Sequence, residues 1–425
     1  MRAPHRSRTR TTAVATATAI GVALALTVPG AAHATGKTAP DKPPVGRISL
    51  GRAYTFLDTT MDVYGSGTTL RLPQSFTGGY LTGFVSSFGY DDALTAIAFL
   101  QRGTADDVTR ARVLGDALLY AQAHDPLADG RLRASYQPDP FITGDGSPYI
   151  GSPATYTGNM AWAGLAFSHL YADTGDTRYL SGALKVADWI QSHTYDTRGT
   201  AGYTGGRDAD NNPMTYKATE HNIDVGAFFA MLAELSGDKV WAARSRTAFG
   251  FVRSMWDPRG KKFWTGTNPD GVTTNNSPVP EDVQTWSYLA TGDRTYAASI
   301  DWVESHLAAR DNGFTGVSFS DADTSKVWFE GTGHLAAALY ARHRPADLVE
   351  AAKLVASMQA AQAGAPDTDG NGIVAASSDG LLTGFGDSYY ASLHTGATSW
   401  YILAAERANP FVLASGETCY LHHGR

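Results

Sequence analysis

Cysteine is almost missing from this chain. Its single cysteine, Cys419, lies near the C-terminus, so no intramolecular disulfide can form and stability must come from a packed core. Cationic excess is missing too: 34 Lys and Arg against 41 Asp and Glu leave a net charge of -7, which provides no basic surface for nucleic acid or an anionic membrane. After residue 34 there is no second long apolar run, so the remainder reads as soluble. Zinc signatures of the H-E-x-x-H or C-x-x-C kind are absent, as are G-x-x-x-x-G-K-[ST] and G-x-S-x-G. These gaps set aside zinc hydrolases, P-loop enzymes and serine hydrolases of the nucleophile-elbow type.

What is present begins with an address. Arg2, Arg6, Arg8 and Arg10 form a basic start, an apolar run extends from about Ala13 to Val28, and Ala32-His33-Ala34 is a small-residue cleavage site. Residues 1–34 are therefore read as a secretory signal peptide and the mature protein as secreted. No adjacent Arg-Arg pair occurs there, which favours general export over the twin-arginine route. Residues 35–45, rich in Pro and Lys, read as a flexible linker. Residues 46–425 read as one domain, a monomer, because a repeat runs through them without interruption.

The repeat is a helix pair. Six times an Ala-rich apolar helix opens with acids, amides and aromatics: Tyr90-Asp91-Asp92, Tyr156-Thr157-Gly158-Asn159, Glu220-His221-Asn222, Glu281-Asp282-Val283-Gln284, Trp328-Phe329-Glu330 and Asp387-Ser388-Tyr389-Tyr390. The openings lie roughly 50–65 residues apart, the spacing of a repeated supersecondary unit. Each apolar helix ends in a turn such as Thr174-Gly175-Asp176, Ser236-Gly237-Asp238 or Thr291-Gly292-Asp293. The Gly suits a left-handed C′ position, and the Asp caps the more polar helix that follows. Helices that are apolar all round are buried, whereas those with one charged face meet solvent. Six inner helices are expected to begin near 91, 159, 222, 282, 331 and 391. Outer helices are expected near 106, 177, 238, 294 and 346, and Ser49–Val63 supplies the sixth.

Twelve helices alternating in this way resemble the all-α (α/α)6 toroid of the six-hairpin glycosidase-like superfamily, over residues 46 to about 412. Phrases such as Tyr90-Asp91-Asp92-Ala93-Leu94, Thr219-Glu220-His221-Asn222-Ile223-Asp224 and Trp328-Phe329-Glu330-Gly331-Thr332 are similar to a secreted bacterial subgroup. The resemblance implies a cleft at the N-terminal ends of the inner helices. The same shape also hosts polysaccharide lyases, and a related toroid hosts terpenoid cyclases.

Glycoside hydrolysis needs a pair of carboxyl groups flanking the scissile bond. The openings offer Asp91, Asp92, Glu220, Asp282 and Glu330. Glu330 follows Trp328, whose indole should desolvate it and raise its pKa as a general acid requires. Asp282, beside Gln284, is expected to be hydrated and ionised, and so to act as the base. Glu220 and Asp91 compete for these roles, and Asp224, one turn after Glu220, is placed to buttress His221. Tyr90, Asp92, Tyr156, Asn159, His221, Asn222, Gln284, Trp286, Trp328, Tyr390 and His394 are candidate substrate contacts. For Trp162, Trp286 and Trp400, core packing competes with sugar stacking. His394 and Tyr390, taken to lie four residues apart on the last inner helix, would also suit a lyase.

Asp367, Asp369 and Asn371 match half of a calcium-binding loop, with Ser378 rather than Glu at the twelfth position, and a solvated turn explains them better. No other cofactor is expected. The reading is a secreted glycoside hydrolase that acts on a polysaccharide or oligosaccharide with inversion. A polysaccharide lyase and a non-catalytic glycan-binding protein are the alternatives.

Overall fold

A computed structural model describes residues 44–413. The expected signal peptide, most of the expected linker and Cys419 lie outside the described residues. Twelve α-helices alternate between an inner and an outer ring. The outer ones are α1 (Pro44–Asp62), α3 (Ala105–Ala123), α5 (Thr177–Thr194), α7 (Lys239–Ser254), α9 (Ala297–His306) and α11 (Pro345–Gly364). The inner ones are α2 (Gly89–Arg102), α4 (Thr157–Thr174), α6 (Thr219–Ser236), α8 (Asp282–Thr291), α10 (Phe329–Arg342) and α12 (Thr395–Glu406). Each inner helix packs against the next, and α12 returns to α2, which closes the ring. Among the described residues, no helix is long and apolar enough to cross a membrane.

The predicted punctuation is present. Gly175, Gly237 and Gly292 end α4, α6 and α8 in the left-handed conformation. Asp176 and Asp238 accept hydrogen bonds from the backbone N–H of Arg178 and Val240 at the starts of α5 and α7. The N-terminal helix completes the outer ring as expected. Ser49 on α1 joins Gln362 of α11 at 2.5 Å and Tyr401 of α12 at 2.7 Å, so one hydroxyl ties three helices at the seam.

The inner helices approach closely because small residues line them. A Cβ on Gly164 of α4 would sit 2.4 Å from the Phe228 ring of α6, and one on Gly333 of α10 would sit 3.0 Å from Trp400 of α12. Trp162, Trp286, Trp328 and Trp400 are all fully buried in this core.

Short strands, none longer than four residues, form a crown of hairpins over the N-terminal ends of the inner helices. Ser87–Phe88 leads into α2 and pairs with Ser135–Tyr136, while Thr155–Tyr156 leads into α4 and pairs with Gly206–Arg207. Leu393–His394 leads into α12 and pairs on both sides, with Phe76–Thr77 and Ile373–Val374.

The last opening departs from the sequence reading. Asp387–Tyr390 does not start a helix: Ser388–Tyr389 pairs with Leu381–Leu382, and α12 begins at Thr395. The polar cluster that suggested a helix start belongs to the preceding hairpin.

Gly164→Ala is expected to force α4 and α6 apart and to cost about 1–3 kcal/mol in a denaturant melt, as overpacking does. Gly51→Ala on the exposed face of α1 meets nothing within 4 Å. It should instead raise stability by up to about 1 kcal/mol through helix propensity.

Candidate active site

The residue before each of five inner helices is extended: Phe88, Tyr156, Ala218, Trp328 and His394. A strand that turns directly into a helix sets the first-turn side chains under the crown of hairpins. Asp91, Glu220 and Glu330 occupy such first turns, and Asp282 occupies the first turn of α8, which is entered from a helical Glu281 instead. There the helix macrodipoles favour negative charge, but burial opposes it: each of the four is 5% exposed or less.

Glu330 is the best-connected acid. The Tyr90 hydroxyl donates to its Oε1 at 2.5 Å, and Trp400 Nε1 donates to that hydroxyl at 2.8 Å. His394 Nδ1 lies 3.5 Å from Glu330 Oε2, and His394 Nε2 lies 3.3 Å from Asp91 Oδ1. Backbone N–H of Ala397 donates to His394 Nδ1, which leaves Nε2 to carry the proton towards Asp91. The imidazole is further fixed by stacking on Phe76, with centroids 4.1 Å apart. Burial lowers the pKa of His394, but the carboxylates of Asp91 and Glu330 outweigh it and the net shift is upward. Burial, partly offset by His394, pushes Glu330 up to about 7.

The expectation that Asp282 is hydrated and ionised is overturned. It is fully buried, and burial together with nearby Glu330 raises its pKa. Its Oδ1 accepts from the N–H of Val283 at 2.5 Å. Oδ2 has no hydrogen-bond partner within the protein. A carboxyl group held neutral is a poor base.

Other candidates separate into two groups. Asn222 donates to the Tyr203 carbonyl and accepts from its N–H, and Gln284 does the same at Phe263. Both are spent anchoring hairpins rather than reaching substrate. Asn159 donates to the Ala134 carbonyl, and Tyr156 is packed with Ala134 and Ala154. Asp92 accepts from the Ser87 hydroxyl at 2.6 Å. Trp286 and Trp328 are floor, not platform, because both are buried against the His334 ring. Tyr390 sits in the hairpin, outside any helix, and stacks on exposed Tyr80 at 4.0 Å. His394 is the N-cap of α12 rather than a residue within it.

Glu220 and His221 line a cavity of about 300 Å³ together with Tyr216, Thr265, Pro280 and Phe385. His221 Nε2 lies 3.5 Å from Glu220 Oε1. Neither nitrogen of His221 nor either oxygen of Asp224 finds a hydrogen-bond partner within the protein. Burial lowers His221 to about 4, so it is a neutral imidazole. Buried polar atoms left unpaired cost about 1–3 kcal/mol each, and their concentration here marks a place where water or a hydroxylated ligand belongs.

Two residues were missed by the sequence reading. Glu281 and His334 are both fully buried, with Glu281 Oε2 3.0 Å from His334 Nδ1. His334 Nε2 lies 3.9 Å from Glu330 Oε1. The spacing of Glu330 and His334, one helical turn apart, was the available signal. In the loop that suggested calcium, Asp369 Oδ1 accepts from the N–H groups of Asn371 and Gly372. Asp367 takes a left-handed backbone beside Gly79.

No protein-family model matches the chain, and no curated protein matches it significantly. Solved structures do match. A D-mannose isomerase aligns at 11% identity and a TM-score of 0.63, over 86% of this chain and 98% of that one. A cellobiose 2-epimerase from Spirochaeta thermophila aligns at 14% and 0.60, over 86% and 98%. A glycoside hydrolase family 76 mannosidase from Bacteroides thetaiotaomicron aligns at 12% and 0.59, over 84% and 98%. The chain has the six-hairpin (α/α)6 toroid fold. At these identities the likeness establishes the toroid architecture, and the chemistry must be argued from its own side chains.

Two measurements check this geometry. A Cβ on Gly396 would lie 2.6 Å from Asp91 Oδ1 and 2.7 Å from His394 Cε1. Gly396→Ala should therefore part the pair and lower the His394 titration midpoint seen by NMR. The second concerns Glu330, whose pKa is about 7 in the fold against an ordinary 4.5. Stability from this raised group is full below 4.5 and is lost as pH rises through about 7, a loss of roughly 3 kcal/mol. Glu330→Gln should remove this part of the decline in denaturant melts between those pH values.

Proposed function

We propose that this protein is a carbohydrate-active enzyme, a glycoside hydrolase that cleaves a polysaccharide or oligosaccharide outside the cell. The observation that carries the reading is Glu330: a buried carboxyl group hydrogen-bonded to Tyr90, with a pKa of about 7, as a general acid working near neutrality needs. Asp91, paired with His394, is the partner carboxylate that activates water, in place of Asp282. The Glu330 and Asp91 carboxyl groups stand on opposite sides of one imidazole ring. That arrangement suits the separation of roughly 6.5–9.5 Å used by inverting enzymes. Glu220 and His221, at the cavity, are placed to hold sugar hydroxyls.

In the step itself, Glu330 gives its proton to the departing glycosidic oxygen. Asp91 takes a proton from the water that attacks the anomeric carbon. His394, stacked on Phe76, points its Nε2–H at Asp91 and steadies that carboxylate. The ion-pair partners of Asp91, Glu281 and Glu330 are histidines. An acid-rich mouth of this kind suits an uncharged sugar and argues against the uronates that a lyase takes.

A second reading is sugar epimerisation or isomerisation. It is favoured by the raised pKa of His394, a base held between two carboxylates, and by the isomerase and epimerase among the structural neighbours.

The experiment is a screen of purified protein against neutral and acidic polysaccharides and free aldoses in D2O. Release of reducing ends without unsaturated-uronate absorbance supports hydrolysis. Deuterium entering at C2 of a free sugar would support the epimerase instead. For a hydrolase, Glu330→Gln and Asp91→Asn should each lower kcat about 10²–10⁴-fold, and their losses should combine less than additively. Activity should fall as pH rises through about 7.

A further inference from the structure

The cavity at the openings of α6 and α8 has walls of two kinds. One is polar, with Glu220 and His221 on α6 and the amides of Asn268 and Asn275 in the adjoining hairpin. The other is apolar, with Pro280, Val283 and Phe385. Among the described residues that line it, Lys217 is the one standing cation, and its ammonium is spent on the backbone carbonyls of Arg198 and Thr200. His221, lowered by burial to about 4, adds no charge. A volume of about 300 Å³ lies at the small end of ligand pockets, which run roughly 300–1,000 Å³.

Phe385 is the wall that packing alone does not explain. It is 36% exposed, at the tip of the hairpin that joins Leu381–Leu382 to Ser388–Tyr389. That tip is fixed in place. The Phe385 N–H donates to Thr383 Oγ1 at 3.1 Å, and the Ser320 hydroxyl donates to the Thr383 carbonyl at 2.8 Å. A Cβ on Gly384 would lie 2.7 Å from that of Ala322. The Phe385 ring meets Phe319 at 90°, with centroids 6.2 Å apart, and among the described residues no ring stacks parallel on it. A pyranose carries the matching surfaces, apolar C–H groups on its face and hydroxyls around its edge. A fixed aromatic ring opposite buried polar groups is arranged to take both.

The place of the cavity in the ring gives it a direction. The inner helices pack in the order α2, α4, α6, α8, α10, α12, so α8 stands across the mouth from α2. Asp91 opens α2, and the cavity therefore lies on the far side from it. Glu330 opens α10, next to α8, and stands nearer: Val283 lines the cavity, and its neighbour Asp282 feels the charge of Glu330. In an inverting step the water arrives from the side of the base, and the acid protonates the oxygen that departs on the opposite side. The departing sugar then points away from Asp91 and towards α6 and α8.

We propose that this cavity is the subsite for the departing sugar, an uncharged pyranose that stacks on Phe385 and hydrogen-bonds with Glu220 and His221. The assignment to the departing side rests on the reading of Glu330 as acid and Asp91 as base.

The first arm of the test needs no turnover. In 15N-histidine-labelled protein, the His221 ring signals are assigned by their loss in His221→Gln. They are followed as D-glucose, D-mannose, D-galactose or D-glucuronate is added to roughly 0.1 M, enough to fill a millimolar site. At least one neutral sugar should shift them saturably, and D-glucuronate should not. Phe385→Ala should weaken that binding about tenfold, the scale of one apolar ring face removed from water. Signals that ignore all three neutral sugars, an equal response to D-glucuronate, or unchanged affinity in Phe385→Ala overturns the subsite.

The second arm compares the oligosaccharide cleaved fastest in the screen with the glycosyl fluoride of the same sugar, whose leaving group is a single atom. Phe385→Ala should lower kcat/KM for the oligosaccharide about tenfold more than for the fluoride. Equal losses would mean that the attacked ring lies on Phe385, which overturns the assignment to the departing sugar. Cleavage of neither substrate removes the hydrolase reading and the departing side with it, and the binding arm then decides by itself whether the cavity holds a neutral pyranose.

Discussion

Six nearly uncharged helices that share one polarity can pack as a ring only if their polar residues gather at the ends. Gly164 against Phe228 and Gly333 against Trp400 show how close the walls come. The N-terminal ends are where carboxylates are tolerated, because unpaired N–H groups and the macrodipole meet them there. Closing the ring therefore concentrates acid at one mouth, and everything chemical about this protein follows from that concentration.

Concentration alone would scatter caps around a rim. The crown of hairpins makes the difference. Five inner helices are entered from an extended residue that a hairpin or a lone bridge holds, which sinks the first-turn side chains beneath the loops. Burial then divides acids of similar type into different states. Glu330 is raised to about 7, with a tyrosine donating to it and a histidine beside it. Asp282 is raised with little to offset its burial beyond one backbone N–H. Glu281 shares a histidine and is raised further. Such spreading of pKa values separates neighbouring carboxyl groups that hold a proton near neutrality from those that release it.

The histidines couple these states. His394 spans Asp91 and Glu330 from the end of α12, and His334 spans Glu281 and Glu330 from within α10. Glu330 is the shared member, with α2, α8, α10 and α12 all contributing a partner or a charge. A carboxyl group with that many oriented neighbours is positioned more tightly than any residue on a free loop.

The repeat of apolar and amphipathic helices, the Gly and Asp punctuation and the use of α1 to close the ring were legible because they depend on local periodicity and capping. The acids at helix openings were legible as a set for the same reason. Their individual states were not. Asp282 was read as hydrated from its polar neighbours, but ring closure buries it completely. Asn222 and Gln284 looked like substrate contacts until the hairpins they hold were in place. Trp286 and Trp328 went to the floor against Trp400 and Tyr389, which lie far away in the chain, and Tyr390 went to a local hairpin. His334 paired with Glu281 across 53 residues, a contact that no local pattern announces. Sequence by itself determined which helices are buried, where they stop and which residue types crowd one end of them, since those follow from nearest neighbours along the chain. Which carboxyl group is desolvated, which histidine reaches it and which aromatic faces it were decided by the tertiary structure, because burial and contact between separate helices exist only once the ring has closed.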